Sequence, residues 1–362
     1  MKVATIIGAR PQFIKAGALS RTFVNHNLGD PSASIQEILV HTGQHYDDEM
    51  SAIFFRELEI PEPQYNLNIG SGSHGQQTGR MLMALEEVLL REKPDWVLVY
   101  GDTNSTLAGV LAAAKLHLPI AHVEAGLRSF NRLMPEEINR VVADHLAALL
   151  LCPSQMAVDN LALEGISKGV FLTGDVMADA LQFAEEKSAD STILKRLGLQ
   201  PKGYLLTTVH RPENTDKRER LDHIIAALGA LDETVVFPVH PRTRKLLQAN
   251  GYKISRNVHL IEPVGYLDSI ALQKSARILM TDSGGMQKEA YWLRVPCITL
   301  RDQTEWVETV ESGWNVLTGA DRKRIVEAVL TAKEPSSYSA LYGDGRAAER
   351  IIDRLAKQVS LG

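Results

Sequence analysis

Short apolar runs, rich in valine, isoleucine and leucine, alternate along the chain with longer segments in which apolar residues recur every three or four positions. This alternation is typical of parallel β-strands joined by crossover helices. In the first half of the chain it predicts strands at residues 3–7, 37–41, 96–100, 120–123, 149–152 and 170–172. Between them it predicts helices at residues 12–23, 79–91, 105–115 and 136–146.

The pattern weakens after Asp179, and residues 197–203, which include two glycines and a proline, predict a linker. A second alternation then predicts strands at residues 204–209, 235–239, 258–261, 278–281, 297–300 and 315–317. The last segment, 345–359, carries apolar residues on one face and predicts an amphipathic helix that must pack on another element. We therefore expect one α/β domain over residues 1–180 and a second over residues 200–344.

Size and composition agree with this division. With 362 residues and 44% hydrophobic content, the chain can form two domains with ample cores. The formal net charge of −5 is small, and no long basic or acidic block is present, which argues against a nucleic-acid partner. Cys152 and Cys297 lie in apolar runs and are expected to be inert core thiols.

Nothing in the sequence predicts a membrane partner. The apolar stretch at the amino terminus ends at Gly8 and Arg10, which is too short for a signal peptide or a membrane span. No later segment approaches the ~18 uncharged apolar residues that a span needs. We therefore expect a cytoplasmic protein.

Acidic side chains follow the predicted strands of the first domain. Asp102 and Glu124 come directly after strands, and Glu136 with Glu137 opens a helix after Pro135. Ligands bind open α/β sheets at the carboxyl ends of the strands, so Asp102 and Glu124 should meet at one edge. Clustered carboxylates raise one another's pKa and can exchange protons near neutral pH, which favours catalysis. Glu136 and Glu137 also fit a plainer role in stabilising the start of the helix.

The segment TDSGG, residues 281–285, follows a predicted strand and opens a helix. Free backbone N–H groups and the positive end of the helix dipole make such a turn a ready phosphate site, to which the Ser283 hydroxyl can add a donor. Gly284 and Gly285 also fit a plain tight bend, so both interpretations stay open. The segment matches neither the dinucleotide nor the Walker fingerprint, which argues against a nicotinamide or P-loop site.

Cationic side chains also stand at strand ends, where they could meet phosphate. They follow the first strand and the strands at 204–209 and 235–239, and they are Arg10, Lys15, His210, Arg211, His240 and Arg242. One charge-assisted bond from such a group to a diphosphate contributes roughly 1.5–3 kcal/mol. Together they predict a bound nucleoside diphosphate.

In this order the motifs resemble those of the non-hydrolysing UDP-N-acetylglucosamine 2-epimerases, and the resemblance covers nearly the whole chain. The matching segments are GARPQFIKA (8–16), HTGQHYD (41–47), GDTNST (101–106), HVEAGLRS (122–129), MPEEINR (134–140), TGD (173–175), TVHRPENTD (208–216), TDSGG (281–285), RDQTEW (301–306) and YGDG (342–345). The resemblance implies the GT-B fold, in which two Rossmann-like domains with parallel sheets face a deep cleft and the helix 345–362 crosses back to the first domain. It also implies a homodimer, a UDP-amino sugar as substrate, and catalysis without a cofactor or metal.

Carried onto matching positions, the resemblance implies that the acid/base residues are Asp102, Glu124 and Glu136, with His210 at the nucleotide end. It implies contacts to UDP from Arg10, Ser283, Gly284, Gly285 and Glu289, and we expect Lys15 and Arg301 to bind the substrate or UDP as well. In the implied mechanism, a base removes the C2 proton while UDP leaves C1, which gives an enzyme-bound 2-acetamidoglucal. UDP then adds back, and C2 is protonated from the opposite face. The product would feed surface polysaccharide synthesis, and which carboxylate acts as base in each direction stays open.

Two departures from the family pattern bear on the sugar. Ser269 stands where the family often has an aromatic residue, and Trp306 interrupts the family's Thr-Glu-Arg-Pro-Glu stretch. Together with the segments GARPQFIK and HPRTR, these two positions make the sequence resemble the branch of the family that acts on UDP-2,3-diacetamido-2,3-dideoxyglucuronate. Both this sugar and UDP-N-acetylglucosamine stay open, and the residues expected to discriminate between them are Lys15, Arg301 and Trp306.

A further feature of some bacterial members is a second UDP-N-acetylglucosamine that binds beside the active site as an activator. Gln44, Arg211 and His240 match that site, whereas Asp47 replaces a glutamine and the loop 70–77 differs. His240 can equally serve the substrate.

Three other functions share part of this pattern: a GT-B glycosyltransferase that uses a UDP-sugar donor, a hydrolysing epimerase that releases free N-acetylmannosamine, and a non-catalytic nucleotide-binding protein. Three carboxylates around C2 favour the non-hydrolysing epimerase, because a transferase does not need them.

Overall fold

A computed structural model of the chain describes residues 1–29, 31–44 and 56–359, apart from the side chains of Arg10, Ser32, Gln358 and Val359. The chain divides into two compact units, the first formed by the described residues of 1–183 and 340–362 and the second by 184–339. Each unit contains one sheet, and the paired strands in both sheets run parallel. The predicted α/β class with two parallel sheets is confirmed.

The strands of the first unit are β1 (Lys2–Ile7), β2 (Gln36–His41), β3 (Tyr65–Asn66), β4 (Trp96–Tyr100), β5 (Ile120–Val123), β6 (Leu149–Cys152) and β7 (Val170–Leu172). Its helices are α1 (Arg10–Gly29), α2 (His74–Glu92), α3 (Asn104–Lys115), α4 (Pro135–Leu146), α5 (Gln155–Leu163) and α6 (Val176–Ser188), the last of which continues into the second unit. A short 3₁₀ turn covers Pro31–Ala33. The sheet order is β3-β2-β1-β4-β5-β6-β7.

The second unit contains strands β8 (Leu205–Thr208), β9 (Val235–Pro238), β10 (Val258–Ile261), β11 (Ile278–Thr281), β12 (Cys297–Thr299) and β13 (Asn315–Leu317). Its helices are α7 (Ile193–Leu197), α8 (Pro212–Thr215), α9 (Arg218–Gly229), α10 (Pro241–Ala249), α11 (Tyr266–Ser275), α12 (Gly284–Trp292), α13 (Val307–Glu311) and α14 (Arg322–Thr331). The sheet order is β10-β9-β8-β11-β12-β13.

Both faces of the second sheet are covered. Successive side chains of a strand point to opposite faces, so Leu205 and Leu206 of β8 enter different cores. Leu205 packs in a cluster with Leu228 of α9 and Val329 of α14. Leu206 packs in another cluster with Leu272 of α11. Burial on both faces explains why these strands are continuously apolar rather than alternating.

In each sheet, the chain changes direction beside its first strand. From β1 the order runs to β2 on one side and to β4 on the other, and from β8 it runs to β9 and to β11 in the same way. Such a topological switch opens a crevice at the carboxyl ends of the two strands, where open α/β sheets bind ligands. The turns after β1, β4, β8 and β11 are therefore the positions where the fold predicts a ligand-binding site.

The carboxyl-terminal helix α15 (Ala347–Val359) packs against α1 within the first unit. Ile351 and Leu355 on its apolar face are fully buried. Asp179 caps its amino end by accepting hydrogen bonds from the backbone of Ala347 at 3.1 Å and Ala348 at 2.9 Å. The predicted amphipathic helix therefore exists and has a packing partner.

The predicted linker differs from what the structure contains. Gly198 adopts the left-handed conformation that ends α7, and Leu199 packs with the Leu206 cluster of the second unit. A glycine that caps a helix and a glycine in a linker give the same sequence signal, which explains the difference.

Both cysteines are buried and free, as predicted. Burial raises the pKa of each thiol to about 12, so Cys152 and Cys297 stay protonated at neutral pH. Among the described residues, no helix is long and apolar enough to cross a membrane.

Candidate active site

The turns after β1 and β4 are joined by the side chain of Gln12. Its oxygen accepts hydrogen bonds from the backbone of Gly8 at 2.8 Å and Ala9 at 3.1 Å. Its nitrogen donates to the Tyr100 carbonyl at 2.9 Å and to the Thr106 hydroxyl at 3.1 Å. All these contacts are buried, so one amide fixes the two turns that border the switch point of the first sheet.

Glycine is required at position 8 because the side chains of Thr42 and Ser105 closely approach this turn. The hydroxyl oxygens of Thr42 and Ser105 lie 2.8 Å apart, and a methyl group added at Gly8 would lie 2.1 Å from each of them. Both hydroxyls are buried and have no room to withdraw.

We therefore expect Gly8→Ala to lower the free energy of unfolding by about 1–3 kcal/mol through overpacking. Urea denaturation should show a lower midpoint with an unchanged slope. Gly29→Ala, at the end of α1 with no atom within 4 Å of the added methyl, is the matched control. It should leave stability unchanged or raise it by up to about 1 kcal/mol. Equal stability of the two variants would contradict this account of the turn.

Lys15 and Glu124 form a buried ion pair at the same edge. Lys15 lies on α1 and Glu124 follows β5, and the ammonium donates directly to the Glu124 carboxylate. Burial lowers the pKa of Lys15, but the charge and hydrogen bond of Glu124, with Asp175 and Asp102 nearby, hold that pKa above its ordinary value. Lys15, predicted to meet phosphate, therefore holds a carboxylate in this structure.

Glu124 has an unusual backbone for a residue with a side chain. Its φ of 70° lies in the left-handed region, a conformation that costs about 1–3 kcal/mol and persists only where surrounding contacts hold it. Its backbone N–H donates to the Leu151 carbonyl at 3.0 Å. Across the turn, a methyl group added at Gly101 would lie only 3.1 Å from the Glu124 carboxylate. The chain is thus held in a strained form that brings this carboxylate over the end of β4.

Asp102, just past β4, is paired with Arg140 of α4. The guanidinium donates to the Asp102 carboxylate and, at 3.1 Å, to Glu137. The Asp102 backbone carbonyl accepts from Asn139 at 2.8 Å. The sequence suggested that clustered carboxylates would repel one another, but Asp102 and Glu124 each have a cation of their own. Pairing of this kind holds each carboxylate in a fixed position at the sheet edge.

Glu136 and Glu137 play different structural parts at the start of α4. Glu137 is buried and accepts hydrogen bonds from the Ser129 backbone and hydroxyl and from the Phe130 backbone, each at 2.9 Å. These bonds outweigh the burial that would raise its pKa, so the pKa of Glu137 is lowered. Glu136 is exposed and the structure gives it no bonded partner. The stabilising role therefore falls to Glu137, and the acid/base role of Glu136 stays a prediction.

In the second unit, Asp282 joins the two turns at the switch point between β8 and β11. This fully buried carboxylate accepts from the backbone of His210 at 3.1 Å, from the backbone of Arg211 at 3.0 Å and from the Asn214 amide at 3.1 Å. The His210 ring also lies 3.3 Å from Asp282, measured from Nδ1. Asp282 therefore orients His210, a group that the sequence singled out without its partner.

The TDSGG segment forms the beginning of α12. Ser283 is the N-cap residue and its hydroxyl accepts from the Met286 backbone at 3.5 Å, while Gly284 and Gly285 open the helix. Backbone N–H groups and the positive end of the dipole are thus presented at the carboxyl end of β11. This placement fits a phosphate better than a plain bend.

Three side chains surround this helix end. A methyl group added at Gly284 would lie 3.5 Å from the Trp306 indole nitrogen, 3.6 Å from Glu305 and 3.9 Å from Arg211. The Trp306 ring is in turn covered by the ammonium of Lys288, 4.0 Å from the ring centroid. Trp306 therefore lies at the predicted phosphate site, where it can affect ligand selection.

Arg301, proposed above as a discriminating or UDP-binding group, is buried and held by acidic partners. It donates to both carboxylate oxygens of Glu305 at 2.9 Å and to Glu213 at 3.2 Å. Burial lowers the pKa of Arg301, but these carboxylates raise it above the ordinary value, so the group is charged throughout the physiological range. Neither Glu213 nor Glu305 could be identified from the sequence pattern as a partner of Arg301.

Glu289 lies one turn into α12 and is buried. Its carboxylate accepts from the Gln273 amide at 2.9 Å and from the Tyr266 hydroxyl at 3.2 Å, both on α11. Ser269 lies on the same helix, with its hydroxyl 3.4 Å from the Gln273 amide. The predicted ribose contact is therefore held in a fixed position next to the departure at Ser269.

The remaining predicted residues are placed as follows. His240 is exposed and caps α10, with its ring nitrogen Nδ1 accepting from the Arg242 backbone at 3.2 Å, and its ring centroid lies 6.4 Å from that of His210. Gln44 accepts from the Ser105 hydroxyl at 2.7 Å. The roles of Gln44, Arg211 and His240 in binding a second sugar nucleotide stay predictions. Asp47 and the side chain of Arg10 lie outside the described residues.

The two sets of groups have different chemistry. The first unit gathers Lys15, Asp102 and Glu124, which suit proton transfer. The second unit gathers His210, Arg211 and the start of α12, which suit an anion. Within the described part of the chain, no three His, Cys, Asp or Glu side chains are grouped to hold a metal ion.

The chain is similar to known proteins over nearly its whole length. A sequence profile described as UDP-N-acetylglucosamine 2-epimerase matches residues 29–356. A UDP-N-acetylglucosamine 2-epimerase homolog from Methanococcus maripaludis is 53% identical, over 98% of this chain and 99% of its own length. The UDP-2,3-diacetamido-2,3-dideoxy-D-glucuronate 2-epimerase of Pseudomonas aeruginosa is 50% identical, over 99% of this chain and 100% of its own.

Among solved structures, the UDP-GlcNAc 2-epimerase of Methanocaldococcus jannaschii in complex with UDP-GlcNAc and UDP is similar with a TM-score of 0.85. It is 43% identical, and each chain is covered completely. The resemblance and the fold class expected from the motifs are confirmed by these matches.

Proposed function

Because the chain belongs to the UDP-N-acetylglucosamine 2-epimerase family, we propose that it inverts C2 of a UDP-linked 2-acetamido sugar without releasing the sugar. The observation that carries this proposal is the pairing of Glu124 with Lys15 and of Asp102 with Arg140 at one sheet edge. One of these individually fixed groups, as a carboxylate, can take a proton from carbon, and the other, as a carboxylic acid, can return one.

In the proposed reaction, one carboxylate removes the C2 proton as the C1–O bond to UDP breaks, which leaves a double bond between C1 and C2. UDP then adds back to C1, and C2 receives a proton on its other face. The second group supplies that proton from its neutral carboxylic acid form, and proton exchange with solvent then returns both groups to their starting states. Elimination followed by addition is redox neutral and requires no nicotinamide.

The second unit supplies the other half of the proposed chemistry, retention of UDP. The backbone N–H groups at the start of α12, the Ser283 hydroxyl, the His210 ring and the Arg211 guanidinium stabilise the negative charge that develops as the C1–O bond breaks. Glu289 accepts from the ribose hydroxyls, and Arg10 adds a cation to the phosphates.

We propose that the preferred substrate is UDP-2,3-diacetamido-2,3-dideoxy-D-glucuronate rather than UDP-N-acetylglucosamine. The 50% identity to the Pseudomonas enzyme named for that sugar, against 43% to the Methanocaldococcus enzyme solved with UDP-GlcNAc, supports this choice. The Methanococcus maripaludis protein at 53% is named only as a homolog of the UDP-N-acetylglucosamine enzymes. Trp306 beside Gly284 is a second support, because it stands where the family pattern has arginine.

Side-by-side incubation of the enzyme with each sugar nucleotide, without an acceptor, tests both proposals. We expect the intact UDP-linked C2 epimer, with a kcat/KM at least about tenfold higher for the diacetamido uronate, which corresponds to roughly 1.4 kcal/mol of discrimination. A preference for UDP-N-acetylglucosamine would reverse the substrate proposal. Free N-acetylmannosamine would indicate a hydrolysing enzyme, and turnover only with an acceptor would indicate a glycosyltransferase.

We also propose that the enzyme works as a cytoplasmic homodimer in surface polysaccharide synthesis, as the family resemblance implies. Sedimentation equilibrium at micromolar concentration should give twice the chain mass of 39.9 kDa, and a single-chain mass would contradict the dimer.

A further inference from the structure

His122, on β5 two residues before Glu124, makes hydrogen bonds through both ring nitrogens. Nε2 lies 2.8 Å from the Gly101 carbonyl, and Nδ1 lies 2.7 Å from the Asp144 carboxylate. The side chains of His122 and Asp144 are completely buried. Gly101 immediately precedes Asp102, so one ring connects β5 with the turn that carries the other acid/base carboxylate.

Both partners of this ring can only accept hydrogen bonds. A carbonyl oxygen and a carboxylate offer no proton, so both ring nitrogens must donate, and the ring is a charged imidazolium. Burial alone would lower the pKa of His122, but Asp144, the Gly101 carbonyl and the charge of Glu124 raise it above its ordinary value. The geometry and the electrostatics therefore agree on a positive charge beneath the acid/base groups.

Asp144 extends the same network to the turn after β5. Its second oxygen accepts from the Gly126 backbone at 3.1 Å and from the buried guanidinium of Arg128 at 2.6 Å. Arg128 is anchored by two bonds to Glu164, at 2.6 and 2.8 Å. The residue between these fixed points is Glu124, whose φ of 70° needs such support.

We propose that His122, charged and paired with Asp144, is a positioning residue that holds the Asp102 turn and the strained Glu124 turn in register for proton transfer. It touches neither substrate nor the reacting atoms in this account, and it acts through the Gly101 carbonyl and Asp144. The proposal rests on the proposed function, because positioning matters only if these carboxylates carry protons.

The charged groups around the ring come from several elements. Asp144 belongs to α4, Arg128 and Glu124 to the turn after β5, and Lys15 to α1, with its ammonium on Glu124. Since Lys15 and Arg128 remain, removing the imidazolium takes away only part of the positive charge near Glu124. Loss of that charge makes an ionised carboxylate at this edge less favourable, so the acid limb of the pH–rate profile should move to higher pH.

His122→Asn and His122→Gln test the proposal. Asparagine places its amide nitrogen near the position of Nδ1 and can keep the bond to Asp144, whereas glutamine places it near Nε2 and can keep the bond to Gly101. Both remove the charge. We expect kcat for epimerisation to fall about 100-fold in each, as displacement of reacting groups by about 1 Å does, with KM and UDP affinity changed less than threefold. The acid limb of the kcat profile should move about one pH unit higher.

Leu89→Ala is the matched control. Leu89 is buried near the end of α2, away from the turns described here, so its truncation lowers thermal stability without touching them. At a temperature where all variants are folded, we expect wild-type kcat and an unshifted pH profile in Leu89→Ala. If the His122 variants behave like this control, the proposal is overturned. If the wild type itself gives no C2 epimer, the proposed function fails instead.

A measurement on the wild-type chain keeps the proposal testable should neither variant fold. With ¹⁵N-labelled histidine, both ring nitrogens of His122 should give protonated signals at pH 7.5 that do not move when UDP binds. A neutral ring at that pH would overturn the charged pair.

Discussion

Replacing Glu124 with glutamine is expected to reduce kcat by roughly 10³-fold, while UDP binds with wild-type affinity. Glutamine keeps an oxygen that can accept from Lys15, so the buried ammonium retains a partner and the turn retains its shape. What is lost is a group that can take up and release a proton at C2. Steady-state rates at saturating substrate, with UDP titrated by calorimetry, separate the two effects.

The size of this effect distinguishes a catalytic carboxylate from a structural one. Glu92→Gln is the matched control, because Glu92 also pairs with a lysine, Lys2, and belongs to the same unit. It lies at the end of α2, beside Lys2 at the amino end of β1 rather than at the carboxyl ends of the strands, so we expect an unchanged kcat. A Glu124→Gln enzyme that retains more than about a tenth of the wild-type rate would remove Glu124 from the proton-transfer step.

Replacing Asp282 with asparagine is expected to lower the free energy of unfolding by about 2–4 kcal/mol and to weaken UDP binding by about 10–100-fold. Asp282 is fully buried and receives the backbone N–H groups of His210 and Arg211 and the Asn214 amide. An asparagine NH₂ group would face at least one of these donors, which leaves buried N–H groups without an acceptor. The turn that carries His210 would then lose its position beside the start of α12.

Asp302→Asn is the control for this second prediction. Asp302 is 71% exposed and pairs with Arg220 in the same unit, so its neutralisation should change stability by less than about 1 kcal/mol. Urea denaturation measures the free energy of unfolding of both variants, and UDP titration measures their affinity for UDP. Wild-type UDP affinity in a folded Asp282→Asn protein would show that the two turns do not depend on this carboxylate.

The regular elements could be predicted because parallel strands buried on both faces have a simple signature. Leu205 and Leu206 enter opposite cores, so the strand appears as a continuous apolar run, and every strand predicted from such a run is present. The two-residue strand β3 is too short to produce a pattern. Residues around Gly198 were predicted to form a linker, whereas Gly198 caps a helix, because a glycine gives the same sequence signal in both places.

The site could be predicted only in part. Motif order placed Asp102, Glu124 and the TDSGG turn at strand ends, since chain position alone determines which residue follows a strand. Their partners could not be found in this way. These partners are Arg140, Asp144 and Asp282, and each contacts a residue far away in the chain. Such contacts, for example that of Arg140 with Asp102, depend on the order of the strands in the sheet. For the same reason, Lys15 was expected to meet phosphate although its ammonium is bonded to Glu124.

In the proposed reaction, C2 exchanges its proton while the C1–O bond to UDP breaks and re-forms on the enzyme. The most direct test is a single incubation in D₂O of a substrate that carries oxygen-18 in the bridge between C1 and the β-phosphate. We expect deuterium at C2 of the epimer, together with oxygen-18 moved to non-bridging positions of the recovered substrate. An epimer that retains protium at C2, or oxygen-18 that stays in the bridge during turnover, would contradict the proposed reaction.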